Sequence, residues 1–198
     1  MSGVPDWIGI HAVKLARSAI TSSLLGSGRD LDLPSLRRGV FVTLYRYPTM
    51  ELRGCVGYPY PVDDLKGAIV RAALMSAFED PRFPPLTGEE LNEVVVEVSL
   101  LTEPQLISFG GRIDLPKLIR IGVDGLIIES RYGSGLLLPQ VPISYGWDVY
   151  EFLVNLCLKA GLSPTYWMEK EAKIFRFAAD VFKEKEPNGE VVRDEGGV

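Results

Sequence analysis

Apolar side chains recur at helical spacing from the start of the chain. Ile8, Ala12, Leu15, Ala16, Ala19 and Ile20 share one face, and Gly26 and Gly28 end the pattern. This predicts a helix over Asp6 to Leu25. Residues 40–45, Val-Phe-Val-Thr-Leu-Tyr, are strongly β-prone, residues 47–50 break the run, and residues 51–57 return as the second arm of a hairpin. A helix is expected over residues 62–78, with Asp63 and Asp64 at its positive end and Leu65, Ile69, Ala73, Ala77 and Phe78 on one face. The stiff loop Asp80-Pro81-Arg82-Phe83-Pro84-Pro85 follows. Thr87 and Glu90 have capping-box spacing and open a short helix.

Residues 93–101 read as a strand with Val94, Val96, Val98 and Leu100 on one face. A second hairpin is expected from residues 126–129 and 136–138, turning at Tyr132-Gly133-Ser134-Gly135. Asp148 and Glu151 cap a helix that runs to about Ala160, and Gly161 and Pro164 close it. Residues 173–180 alternate as a last strand. From Lys183 onward apolar residues thin out, which reads as a mobile tail, with a domain over residues 1–184 and a flexible segment over 185–198. Hairpins mixed with helices indicate an α+β fold with mainly antiparallel sheets. The order helix, hairpin, helix, strand and then hairpin, helix, strand suggests two lobes of similar design with no linker between them.

Composition narrows the chemistry. The chain has 198 residues, 46% hydrophobic and 24% charged, which suits one large domain or two small lobes. It has two cysteines, Cys55 and Cys157, and one histidine, His11. Three such side chains exclude a four-ligand Cys/His zinc centre, and any triad that uses histidine must use His11. Cysteines 102 positions apart suit reduced thiols and a cytoplasmic setting, and no signal-peptide pattern or membrane-length apolar run is present. A net charge of −5 speaks against a broad nucleic-acid surface. Gly26-Ser27-Gly28 and Gly133-Ser134-Gly135 read as turns and lead into no phosphate or dinucleotide fingerprint, so no cofactor and no metal is expected.

Leu52-Arg53-Gly54-Cys55-Val56-Gly57 carries the strongest candidate chemistry. In an extended strand Leu52 and Val56 face the core, while Arg53 and Cys55 share the other face about 7 Å apart. A guanidinium at that range favours a thiolate and lowers the thiol pKa. Gly54 and Gly57 leave bare backbone that a ligand can approach, or allow a bulge that re-aims the thiol. The competing reading is a small buried cysteine and an arginine paired with a carboxylate. Asp80, Arg82 and Phe83 on their proline-stiffened loop suit a binding wall, or an Asp80–Arg82 contact that only anchors the loop. Gln140 and Trp147 can present an amide and an indole to a ligand, though a Trp at the start of an apolar helix also suits a core. His11 is the one histidine available as a base, and its place beside an apolar stripe equally suits a structural role. Cys157 falls on an apolar helical face and reads as core. The pairs Asp63-Asp64 and Glu89-Glu90 read as helix caps.

The hexapeptide at 52–57 resembles the signature of the AMMECR family. Phe41-Val42-Thr43-Leu44, Ser76-Ala77-Phe78 with Asp80 and Arg82-Phe83, Val98-Ser99-Leu100-Leu101, Leu138-Pro139-Gln140-Val141 and Gly146-Trp147-Asp148 resemble it in the same order. The resemblance covers about residues 8 to 165 and suits a stand-alone member of prokaryotic or archaeal type. Val56 stands where Ile is more usual, and Tyr58-Pro59-Tyr60-Pro61 and Tyr145 look particular to this chain. The resemblance implies an α+β fold of two unequal lobes with a cleft, and no firmly assigned activity. It also implies a pathway shared with Memo-like and radical-SAM proteins. Carried onto this sequence, it names Arg53, Gly54, Cys55 and Gly57 as the functional centre and Asp80, Arg82, Phe83, Gln140 and Trp147 as cleft residues. Two functions follow as expectations. One is an enzyme or enzyme component with Cys55 as nucleophile or redox thiol assisted by Arg53. The other is a non-catalytic module binding a small molecule, peptide, nucleotide or partner protein.

Overall fold

A computed structural model describes residues 3–108 and 112–194. In chain order the elements are α1 (Asp6–Leu25), β1 (Gly39–Arg46), β2 (Glu51–Tyr58), α2 (Leu65–Phe78), β3 (Val94–Leu101), β4 (Gln105–Leu106), β5 (Gly125–Ser130) and β6 (Gly133–Leu137). Then come α3 (Gln140–Tyr145), α4 (Val149–Lys159), β7 (Lys173–Phe177), β8 (Ala179–Glu184) and β9 (Val191–Asp194). They form two units, residues 3–101 with 180–194, and residues 102–179. One holds a five-stranded sheet ordered β2-β1-β3-β8-β9, the other a four-stranded sheet ordered β4-β7-β5-β6. The pairs β1–β2, β1–β3, β5–β6 and β5–β7 are all antiparallel, so the class is α+β.

In the first unit the stripe Ile8, Ala12, Leu15, Ala16 and Ile20 of α1 is buried with Leu65, Ala68, Ile69, Ala72 and Ala73 of α2. Both helices join Val40, Val42 and Leu44 of β1 and Val94, Val96, Val98 and Leu100 of β3 in one core. The alanines let helix and sheet approach closely, and each buried Val, Leu or Ile adds roughly 1.5–3 kcal/mol. The expected start of α2 moves from Val62 to Leu65, because Asp64 is its N-cap and accepts from the Gly67 N–H at 2.8 Å. All eight residues of β3 are buried. Sequence alternation accounts for only one of its faces. The other face carries Val95, Glu97, Ser99 and Leu101.

The end of the chain differs from the expected tail. Residues 179–184 and 191–194 pair as β8 and β9, and residues 195–198 lie outside the described residues. Several of the charges that suggested a solvated tail are partnered. Glu184 forms a buried ion pair with Arg17 of α1 and accepts from the Val96 N–H at 2.9 Å. Lys183 pairs with Asp194 at 2.7 Å, and Phe182 is wholly buried.

In the second unit Phe152, Leu153, Leu156 and Cys157 of α4 share a core with Leu126 and Ile128 of β5 and Ile174 of β7. The expected capping box is present, with Asp148 and Glu151 bonded reciprocally to each other's backbone N–H. Gly133-Ser134-Gly135 are not turn residues. They belong to edge strand β6, where a side chain at Gly133 or Gly135 would collide with Ala160 just beyond α4. Just after β6, Pro139 caps the short helix α3.

Candidate functional site

The bulge that glycine allowed for is present, and it falls on Arg53. Leu44 pairs with Gly54 while Tyr45 pairs with Leu52, which leaves Arg53 as the extra residue of β2. Simple alternation therefore fails here. Leu52, expected in the core, is 37% exposed, and Arg53 is wholly buried.

Arg53 does not serve Cys55. Its Nε and Nη2 donate to the two carboxylate oxygens of Glu90, each at 2.9 Å, and Nη2 also donates to the Pro84 carbonyl at 2.9 Å. Its guanidinium carbon lies 5.8 Å from the centre of the Phe83 ring. The hydrogen bonds from Arg53, helped by its charge, hold the Glu90 carboxyl below its ordinary pKa against the opposing effect of burial. Glu90 in turn accepts from the Thr87 N–H at 3.2 Å, and Thr87 Oγ1 accepts from the Glu90 N–H at 3.4 Å. The reciprocal bonds of the predicted capping box thus exist but precede the single 3-10 turn Glu90–Asn92 rather than cap it, and the Glu90 carboxylate has a second use as the partner of a buried arginine.

Asp80 and Arg82 clamp the edge of the sheet. Asp80 accepts from the Cys55 N–H at 2.9 Å and from Arg82 Nη2 at 2.7 Å and Nε at 2.9 Å. Arg82 Nη2 donates to the Cys55 carbonyl at 3.1 Å. β2 is an edge strand, so the loop satisfies a main-chain donor and acceptor that no neighbouring strand reaches. The Arg82 bonds hold the buried Asp80 carboxyl well below the usual carboxylate range. Asp80–Arg82 is therefore the anchoring contact, with one addition: the Arg82 side chain stays 47% exposed and its field reaches the thiol. Phe83 lies between the two cations, 5.5 Å from Arg82 and 5.8 Å from Arg53.

Gly54 and Gly57 do not bare the backbone for a ligand. A side chain at Gly54 would collide with the Ser76 carbonyl of α2, and one at Gly57 with the β1 backbone. Ser76 explains that close approach. Its hydroxyl accepts from the Val56 N–H at 2.8 Å and donates to the Val42 carbonyl at 2.7 Å, bridging β1 and β2.

Cys55 sits on the face of the sheet turned away from α1 and α2, since its neighbours Gly54 and Val56 are turned towards α2. Its sulfur accepts from the Thr43 hydroxyl at 3.4 Å, in a residue of intermediate burial. Thr43 is directly opposite Cys55 on one side and Glu97 on the other, so three polar side chains form a row across β2, β1 and β3. Burial pushes the thiol up, opposed by the Thr43 hydrogen bond and the Arg82 charge, and Glu97 and Asp80 add to the rise. The expected lowering by Arg53 does not occur, because the bulge sends that guanidinium to Glu90.

Glu97 is the residue that sequence reasoning missed. It is 4% exposed, and its Oε1 has no hydrogen-bond partner among the described residues. Burial raises its pKa to about 7, aided by Asp194, while Lys183 and the hydrogen bond from Tyr45 hold it down. The same burial and the Glu97 charge push the Tyr45 phenol upward. A lone carboxylate within Val-Val-Val-Glu-Val-Ser-Leu-Leu was the available signal.

The remaining candidates lie elsewhere. Gln140 opens α3 and Trp147 precedes the α4 cap; both belong to the second unit, and Trp147 stacks on Tyr145 at 4.8 Å. His11 lies on α1, edge-on to Trp7 at 5.7 Å, on the helix-covered side of the first sheet. Cys157 is buried in its core. Among the described residues no cluster of three or more His, Cys, Asp or Glu is arranged to hold a metal, and no helix is long and apolar enough to cross a membrane.

The chain is similar to several known proteins. The AMMECR1 family model matches residues 13–182. Protein MJ0810 of Methanocaldococcus jannaschii is 50% identical over 188 residues, 93% of this chain and 94% of that one. Protein PYRAB00100 of Pyrococcus abyssi is 46% identical over 203 residues, 98% of each. The crystal structure of uncharacterized protein PH0010 from Pyrococcus horikoshii superposes with a TM-score of 0.90 at 46% identity, covering 96% of this chain and 98% of that one.

Proposed function

The chain belongs to the AMMECR1 family, and from that premise we propose that it works as an enzyme, or one component of one, through the thiol of Cys55. The observation that supports this most is how the thiol is held. Asp80 and Arg82 fix the main chain of Cys55 on both sides, while its sulfur carries the Thr43 hydroxyl and the residue is not fully closed off from solvent. A nucleophile needs this combination of fixed position and access. The part expected of Arg53 passes to Arg82, whose half-exposed guanidinium favours the thiolate and can receive an anionic group of a small-molecule or peptide substrate. Arg53 is a positioning residue that holds the loop. The chemistry is addition of the sulfur to a carbonyl carbon of the substrate: the thiol proton leaves to water, the S–C bond forms, and the C=O π pair moves onto the carbonyl oxygen, which takes up a proton.

Labelling of the folded protein with iodoacetamide, read by peptide mass spectrometry, tests this. Cys55 is expected to react while Cys157 stays protected. If Cys55 reacts only after denaturation, the reading is wrong.

A second reading is a binding module, and the raised thiol pKa favours it, because a thiol held protonated is a poor nucleophile. On this reading the Cys55→Ser variant keeps its binding to a purified Memo-like or radical-SAM partner and its biological function. Loss of function in a folded Cys55→Ser variant supports the first reading.

A further inference from the structure

We propose that Glu97 controls the reactivity of Cys55, the two side chains forming one proton-sharing pair across the sheet with the Thr43 hydroxyl between them. The inference rests on the reading of Cys55 as the working thiol.

Three observations carry it. Cys55, Thr43 and Glu97 are successive partners on β2, β1 and β3, so their side chains stand in a row on one face. The Thr43 hydroxyl already binds the sulfur at 3.4 Å, and a hydroxyl can donate to one neighbour while accepting from another. Glu97 is buried, yet its Oε1 has no partner among the described residues. A buried carboxylate with an unused oxygen is costly, and in a folded protein such a group calls for a functional explanation.

With one proton between them, the pair has two forms. Either the thiol is neutral and Glu97 is the carboxylate, or the carboxyl is neutral and the sulfur is the thiolate. The groups that face Glu97 set the balance. Burial and Asp194 of β9 favour the neutral carboxyl, and Lys183 of β8 and the Tyr45 hydroxyl of β1 favour the carboxylate. Two strand spacings separate Cys55 from Glu97 by about 10 Å, where one charge changes a neighbour's ionisation roughly tenfold. The ionised Glu97 therefore suppresses the thiolate, and its protonation releases it. A substrate that delivers a proton to Glu97 activates Cys55 on arrival, whereas a hydrogen-bond donor to its free oxygen, like the Tyr45 hydroxyl, favours the carboxylate and keeps the thiol protonated.

The experiment is the rate of Cys55 alkylation by iodoacetamide in the folded protein from pH 5 to 10. In the wild type, log rate is expected to climb with pH, flatten near pH 7 as Glu97 ionises, and climb again. In Glu97→Gln the flattening disappears and the rate at pH 8 rises roughly tenfold. Tyr45→Phe removes the hydrogen bond that holds Glu97 down, so the flattening moves to higher pH. Thr43→Val, which removes the hydroxyl between the two groups, shrinks the step. A folded Glu97→Gln with the wild-type profile overturns the pairing while leaving Cys55 a reactive thiol. A Cys55 inert at every pH in the wild type overturns the reading of the site itself, and the pairing with it.

Discussion

Truncating Glu90 separates an architectural Arg53 from a catalytic one. The Arg53 guanidinium is wholly buried, and Glu90 provides both carboxylate contacts that neutralise it. Its Nη1 has no partner among the described residues, and the further acceptor that the guanidinium does have, the Pro84 carbonyl, carries no charge. Removing one member of a buried pair typically costs 3–5 kcal/mol, because a charge is left uncompensated. The Glu90 side chain is 20% exposed, which lets water reach the vacated space, so about 3 kcal/mol is expected for Glu90→Ala. In a chain of this size that lowers the melting temperature by roughly 6–12 °C. Arg53→Met removes the charge and keeps most of the side-chain volume, so it should cost less than Glu90→Ala, and the double variant should resemble Arg53→Met alone. Urea denaturation of the four proteins gives the cycle, and Cys55 alkylation in each reports on the thiol. The reasoning requires a large stability effect with a nearly unchanged alkylation profile. A Glu90→Ala cost below about 1 kcal/mol, or an Arg53→Met variant of wild-type stability whose alkylation is slowed tenfold, refutes it and returns Arg53 to the thiol.

Three further outcomes follow from the same geometry. Glu184→Ala strands the buried Arg17 and the Val96 N–H, so a loss of about 3–5 kcal/mol is expected, with the β8–β9 hairpin losing hydrogen-exchange protection before β1; equal loss in both strands counts against this. The Asp80 carboxyl is lowered on folding, so its stabilisation is present above the unfolded value near pH 4 and is lost as pH falls below it. Asp80→Asn should therefore be less stable than wild type at pH 7, with the difference shrinking through acid titration; a constant difference refutes the assignment. Glu97 has the opposite sign: its folded value of about 7 lies above the unfolded one, so wild-type stability declines as pH rises from about 4 to 7. Glu97→Gln should flatten that decline, gaining up to roughly 3 kcal/mol at pH 8 relative to pH 4, and an unchanged slope in urea titrations would sink this.

Periodicity alone determined α1 from Asp6 to Leu25, the β1–β2 hairpin and the cap of α4, because each is specified by residues near in sequence: a 3.6-residue apolar stripe, an alternating run around a turn, an Asp three residues before a Glu. The Asp80–Arg82 contact was one of the two readings open for its loop, because the partners lie only two residues apart. Four things were decided only by tertiary structure. The bulge at Arg53 depends on how β2 pairs with β1, and it turns Arg53 from the thiol to a glutamate 37 residues away. Gly54 and Gly57 are occupied by a helix and a strand that local sequence does not place there. The charged C-terminal stretch becomes two strands because Arg17, 167 residues earlier, neutralises Glu184 in the core. Glu97 joins Cys55 only because β3 pairs with β1 in one register, which sets a buried carboxylate opposite Thr43. Local pattern reports which face a side chain takes; its partner, and hence its charge state, depends on segments that meet only when the chain is folded.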